Sequence, residues 1–347
     1  MDSNDVQPTS RRGLLKWGSA AAAAGVGAVL ISGTASAATG SATKPVPKFA
    51  PLPAGAKPLP VGPAGYRLER VGRDMYAVTA GGTQAAFVVS SKGVILVDAP
   101  PALADALPAA IKEVTSKRVT HLVYSHHHAD HIANAAAFGD IARIAHAETA
   151  RLIKAEQDPQ RPMPTETFTD HHTLAVGNQR LELSYPGVNH EAGNIIIHAP
   201  RQRTAMMVDV VLPGWAPFRA WGSADSVPGV IRAHDVLADL DIDTYIGGHA
   251  HRLGTPRDIK ESREFIRDLW NHTADAIART PVSDYLDLVE AGNNWALFRL
   301  WLESVADKVE PITHRKWLTR LAAVDVFTRE NIITIALSQI EDAPHNL

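Results

Sequence analysis

The chain contains no cysteine. That absence excludes disulfides, thiolate nucleophiles and sulfur-ligated metals together, so any metal must be held by nitrogen and oxygen. Charge of one sign is also lacking: 34 Lys and Arg against 37 Asp and Glu leave a formal net charge of -3. With no dense basic run after the N-terminus, neither nucleic acid nor an anionic membrane surface is an expected partner, and a small-molecule substrate is. Aromatics make up only 6% of the chain, so a cluster of them is informative. What the sequence does have is 45% hydrophobic residues over 347 positions, enough for a full core, and 16 histidines whose meaning depends on their spacing.

The N-terminus reads as a targeting segment. Arg11 and Arg12, followed by Gly13, Leu14, Leu15 and Lys16, precede an Ala/Gly/Val stretch from Ala20 to Ile31, and Ala35, Ser36 and Ala37 form a small-x-small cleavage site. This resembles a bacterial twin-arginine export signal over residues 1–37. It implies a periplasmic or secreted protein that folds before export and keeps no stable membrane anchor after cleavage, because the Ala- and Gly-rich stretch is too short and weakly apolar for a comfortable span. Residues 38–65 hold Pro45, Pro47, Pro51, Pro53, Pro58, Pro60 and Pro63. Such a density is incompatible with helix or central strand, and predicts a tether ordered only where it lies against the domain.

Short β-branched or alternating runs at 66–71, 75–80, 85–90 and 94–97, separated by Gly-containing turns, predict a β-meander of antiparallel strands. Strands and helices then alternate: a helix over 102–115, a buried strand over 119–125, a helix over 132–138 and a strand over 141–145. A second antiparallel series is expected at 180–185, 195–198 and 204–208, then a helix over 227–239 and a strand at 244–246. Two sheets flanked by helices account for this pattern.

After the strand ending His121-Leu122-Val123-Tyr124-Ser125 comes His126-His127-His128-Ala129-Asp130-His131. A turn leaving a strand end points its first and third residues to one side, and the start of the next helix presents the fifth and sixth, so one loop can feed two neighbouring metals. The middle His127 should point away. Further on, His190 follows Gly187-Val188-Asn189, Asp209 ends the apolar run Thr204-Ala205-Met206-Met207-Val208, and His249 follows Gly247 and Gly248, which allow close backbone approach.

A strand followed by H-x-H-x-D-H, with these later pieces in order, resembles the metallo-β-lactamase superfamily over roughly residues 66–255. The resemblance implies an α/β fold, a four-layer αβ/βα sandwich with metals at one edge, here followed by a helical C-terminal extension over 256–347. It implies two zinc ions per subunit, with Fe or Mn as alternatives. His126, His128 and His190 would hold one; Asp130, His131 and His249 would hold the other; Asp209 would bridge them. Asp98, at the end of Gly93-Val94-Ile95-Leu96-Val97, matches the family's Asp that braces the metal loop, with a helix N-cap as its other reading. One departure is Val208, where the family usually has Gly.

The implied activity is hydrolysis by a metal-activated hydroxide, with Asp130 also orienting the water. Asp209 favours a small ester, lactone or thioester as substrate, since true β-lactamases of the family typically carry Ser or Cys there. A β-lactam or sulfate-ester hydrolase is the alternative, and a diiron redox protein is the reading from a different class. The segment Leu212–Gly222 is rich in aromatics and expected to form a wall or lid, with Trp215, Phe218, Arg219 and Trp221 as candidate substrate contacts; His251 is another. In the tail, Ile259, Ile266, Trp270, Thr273 and Ile277 share one helical face, and Trp295, Phe298, Trp301, Leu302, Val305 and Val309 another, both expected as core. These C-terminal helices are also the candidate surface for a homodimer.

Overall fold

The computed structural model describes residues 48–341. Residues 1–37, expected as an export signal, lie outside the described residues, as does the start of the Pro-rich stretch. The remainder of that stretch lies along the domain: a 3-10 turn at Ala54–Ala56 buries Ala56, and Gly55 O accepts a hydrogen bond from Arg252 Nε.

A seven-stranded sheet takes its strands in chain order: β1 Arg67–Gly72, β2 Met75–Ala80, β3 Thr83–Val89, β4 Val94–Val97, β5 Val119–Val123, β6 Ala142–His146 and β7 Glu166–Phe168. The first four pair antiparallel, as the short turns between them require, and β4 to β7 pair parallel. The helices on this sheet are α1 Ala106–Val114, α2 Ala129–Ile132 and α3 Ala147–Glu156. A five-stranded sheet follows with β8 His171–Val176, β9 Gln179–Ser184, β10 Ile196–Ala199, β11 Thr204–Met206 and β12 Thr244–Ile246, antiparallel except that β11 and β12 run parallel. The longer helices that follow in the described residues are α4 Val227–Ala238, α5 Pro256–Ala278, α6 Asn294–Trp317 and α7 Val324–Glu341.

Burial on alternate sides of the strands stacks these elements in four layers. Ile95 and Val97 face the second sheet, where they meet Leu181, Leu183, Ile197 and Met206. Val94 and Leu96 face the other way, against Leu103, Leu107 and Ile111. A strand buried on both faces must read as a continuous apolar run, as β4 does. The outer face of the second sheet, through Ile196, Ala205 and Tyr245, packs on α4 to α7 in one shared core. The fold is the expected αβ/βα sandwich, with a C-terminal helical region.

Two expectations need correction. The helix over 132–138 is broken: α2 ends at Ile132, and a 3-10 turn over Ala135–Phe138 replaces its continuation. Asn134 N donates to Ala99 O at 2.9 Å, so the chain docks onto the loop after β4. The second correction concerns Trp295, which belongs to the α6 stripe by spacing but sits in the first turn and is 86% exposed, whereas Trp301, Val305 and Val309 are buried. β7, β8 and α3 were not anticipated, because they bury few residues: Phe168 in β7, Leu174 and Val176 in β8, and Thr149 and Ile153 in α3.

Candidate metal centre

All seven predicted ligands lie on segments that leave the ends of strands at one edge of the sandwich. His126 and His128 are in the loop after β5; Asp130 and His131 are on α2; His190 follows β9; Asp209 and His249 follow β11 and β12. The structure gathers them into two groups, His126, His128, His190 and Asp209 in one and Asp130, His131 and His249 in the other, with the donor atoms of each group within 4.8 Å of one another.

Asp209 stands between the groups. Its Oδ2 lies 3.1 Å from His131 Nε2, 3.3 Å from His190 Nε2 and 3.7 Å from His126 Nε2, and its Oδ1 lies 3.6 Å from His249 Nε2. Asp130 Oδ2 lies 3.1 Å from His249 Nε2 and 3.6 Å from His131 Nε2. The first group is the deeper one, with His126 and His190 buried, whereas Asp130 is exposed and His249 half-buried. Asp209 adopts φ +65°, a left-handed conformation that Asp tolerates better than most side chains. Val208, the departure from the family's Gly, is accommodated from across the site: Gly248 has φ +81°, and a Cβ there would lie 2.5 Å from Val208 Cγ1.

The donor set fits metal ions. His126 Nε2 and His131 Nε2 are buried and have no hydrogen-bond partner among the described residues, and His190 Nε2 faces His128 Nδ1 at 3.1 Å. Ring nitrogens turned toward one another and toward a shared carboxylate are satisfied together by cations. Burial and the neighbouring imidazoles hold His126 well below its ordinary pKa, burial lowers His128, and burial brings His190 down to about 4, so these three are neutral and able to ligate. His131 differs: burial opposes its charge, but Asp209, Asp98 and Asp130 together outweigh burial and raise it to about 9. Asp209 and Asp130 are both held low by the histidines around them against the opposing effect of burial, so both are ionised.

Behind the ligands is a set of supporting contacts. Asp98 is fully buried, and its Oδ1 accepts from Ser125 N at 2.8 Å; Ser125 Oγ lies 2.9 Å from His126 Nδ1. Asp98 thus backs the loop rather than capping a helix, and burial raises it to about 6. His127 turns away, as expected, with Nδ1 2.9 Å from Glu191 Oε2 and Nε2 3.3 Å from Glu156 Oε1. Arg161 donates to His127 O at 2.7 Å and pairs with Glu156. Asn189 Oδ1 accepts from His190 N and from Asn194 Nδ2, and Asn194 Nδ2 also donates to Val208 O, tying the His190 loop to the Asp209 strand. Sequence reasoning missed Ser125, Asn189, Asn194 and Glu191 as supports, although each stands within four residues of a predicted ligand.

A cavity of about 560 Å³ opens onto the cluster, lined by His128, Asp130, His190, Asp209 and His249 and walled by Trp215, Pro217, Phe218 and Trp221. Arg219–Ser223 forms a left-handed helical turn, with Ala220, Trp221 and Gly222 at φ 49°, 56° and 69°. It is anchored by Asn331 on α7: Asn331 Oδ1 accepts from Trp221 N at 3.0 Å, its Nδ2 donates to Pro217 O at 3.0 Å, and its backbone O accepts from Trp221 Nε1. Of the other candidate contacts, Arg219 is exposed and does not line the cavity, nor does His251, whose ring lies 6.3 Å from that of Trp215.

The family model described as "Metallo-beta-lactamase superfamily" matches residues 78–249, from β2 to the last histidine of the cluster. Over 118 residues the chain is 33% identical to "Metallo-beta-lactamase type 2" of Bacillus sp. (strain 170) and 31% identical to the protein of the same name from Bacillus cereus. Each match covers 32% of this chain, which spans 44% of the length of each of these relatives. The crystal structure of the DIM-1 metallo-beta-lactamase superposes with a TM-score of 0.50 at 20% identity, over 58% of this chain and 97% of that one, a likeness of fold. Topology, the order of the histidine and aspartate motifs and the family match converge: residues 78–249 are a metallo-beta-lactamase superfamily domain.

Proposed function

We propose that the protein is an exported metal-dependent hydrolase that uses two metal ions, zinc in the first place, to cleave a small ester, lactone or thioester. The observation that carries this reading is the position of Asp209, one ionised carboxylate placed between two groups of ligands at the floor of a walled cavity. When bound, a pair of divalent cations supplies Lewis acidity, lowering the pKa of water toward ~7 and polarising a carbonyl oxygen.

The chain's own residues do the rest. His126, His128 and His190 offer neutral ring nitrogens for one ion; His131, in its neutral form, with Asp130 and His249 would hold the other. Asp130, ionised and exposed at the mouth, accepts a hydrogen bond from the attacking water and orients it. Trp215, Pro217, Phe218 and Trp221 exclude bulk water and pack against an apolar acyl or leaving group.

A β-lactam substrate is the second reading, favoured by the names of the two Bacillus relatives; the carboxylate at Asp209 weighs against it. Two experiments test the proposal: metal content of the mature protein, and turnover of a panel of lactone, aryl ester, thioester, β-lactam and sulfate-ester substrates. About two zinc per chain with chelator-sensitive cleavage of an ester, lactone or thioester is expected. Cleavage confined to β-lactams would replace the substrate assignment, and iron without hydrolysis would move the protein to redox chemistry. N-terminal sequencing of the secreted form tests export, with a start at Ala38 expected.

A further inference from the structure

Ser262 lines the same cavity as the metal ligands, although it comes from α5, well outside the segments that carry them. Its hydroxyl is not free to rotate. Ser262 Oγ lies 2.8 Å from Nε2 of His234, a fully buried histidine on α4, and His234 Nδ1 lies 2.8 Å from the backbone oxygen of Val230. A carbonyl oxygen can only accept, so His234 Nδ1 carries the ring proton. In a neutral imidazole the other nitrogen is then a bare acceptor, and the Ser262 O–H must donate to it. Neutrality follows from the surroundings: burial is the main cause that brings His234 down to about 4, outweighing the help of the Val230 carbonyl and Asp235, with Arg263 and Arg267 adding to the lowering.

With its proton committed to His234, Ser262 has only lone pairs left. Among the described residues, no side chain or backbone group besides His234 is hydrogen-bonded to its oxygen. Apart from the candidate ligands and Ser223, the lining of the cavity is apolar, with Val210, Leu212, Trp215, Phe218, Trp221 and Val230. An isolated acceptor in such surroundings discriminates sharply, because a ligand that covers it without donating leaves it desolvated and unpaired. We propose that Ser262 is a specificity-determining residue, locked by His234 as a pure acceptor, which selects apolar substrates carrying a hydroxyl or amide N–H donor over the same molecules with that donor methylated or missing. The proposal rests on the reading of this cavity as the substrate pocket. The pair also has the geometry of a base-activated hydroxyl, but the proposed reaction already takes its nucleophile from water, and recognition is what the pairing adds.

The test uses the metal-loaded full chain and calorimetric titration with hydroxy- and methoxyphenylacetates in ortho, meta and para series, run beside the substrate panel above. At one ring position at least, the hydroxyl compound is expected to bind about tenfold tighter than its methoxy partner, as a donor meeting a buried acceptor should. Ser262→Ala brings the pair to within about twofold with metal content unchanged. Ser262→Thr, which keeps the hydroxyl, retains the preference. His234→Phe, which frees the hydroxyl to donate, narrows it from the methoxy side. Equal binding of every pair in the unaltered protein, a preference that survives Ser262→Ala, or no binding of either compound overturns the proposal, whatever the panel shows. A hydroxyl preference that disappears in Ser262→Ala, with no hydrolysis across the panel, upholds it and sinks the hydrolase reading instead.

Discussion

His127 Nδ1 and Glu191 Oε2 are 2.9 Å apart, on the side of the histidine loop that faces away from the cavity. Two adjacent residues of one tract, His126 and His127, therefore serve different masters, and substitution separates them. His126→Ala removes a buried ligand. Changes to groups that merely support a ligand cost about 10- to 100-fold in metal affinity, so loss of the ligand itself should cost at least about 100-fold. His127→Ala should keep both metals and leave Glu191 without its ring partner, destabilising the fold by about 1–3 kcal/mol. Metal analysis and urea unfolding of the two variants check this; equal metal loss in both would refute the division.

Metal removal should lower stability without dispersing the fold, whose core lies in the sheets and helices rather than at the site. Ions present at about a thousand times their dissociation constant contribute about 4 kcal/mol to the folded state. A chelator is then expected to reduce Tm by about 10 °C and abolish hydrolysis, with far-UV circular dichroism retained. Loss of the dichroism at room temperature would mean that the metals hold the fold itself.

Acid stability carries a contribution from His234. Its folded pKa of about 4 lies below the ordinary value of 6.5, so between those pH values the unfolded chain binds a proton that the folded chain refuses. Stability is full above pH ~6.5 and falls by about 3 kcal/mol as pH drops to ~4. His234→Phe removes the titrating group, so the gap between the unaltered protein and this variant should shift by that amount from pH 7 to 4. Unfolding free energies for both proteins across the range measure it; a constant gap would show that His234 does not titrate as described.

Asn331→Ala should act on substrate binding rather than on the metals. The Trp221 N–H and the Pro217 carbonyl lose buried partners, which costs about 2–4 kcal/mol and loosens the aromatic wall. A higher KM with unchanged metal content and little change in kcat is the expected result. A fall in kcat at constant KM would place Asn331 in the support of the metal centre instead.

The strands of both sheets were legible in sequence because their burial is written as period-two or continuous apolar patterns between glycine turns. The edge strands β7 and β8 were not, since only one of three residues in the first and two of six in the second are buried. The seven candidate ligands could be picked out because each belongs to a compact motif at a strand end, and the structure brings them together. Ser262, which lines the cavity from a distant helix, and Asn331, which braces its wall, had no such signal. A serine and an asparagine at apparently ordinary helical positions gain meaning only when packing sets them beside His234 and Trp221. Trp295 failed for the opposite reason: helical spacing identifies a face, but not whether the first turn is covered.

The hold of Asn331 on Trp221 and Pro217 also bears on how this protein could be recombined. A chimera joining the sandwich, ended after His249, to another protein would inherit every candidate ligand and lose the brace of its aromatic wall. Exchanging segment 212–223 alone would hand α7 a partner it was not shaped for. Loop and terminal helix travel as a single cassette, and a library that varies one while holding the other fixed will sample mostly broken pockets.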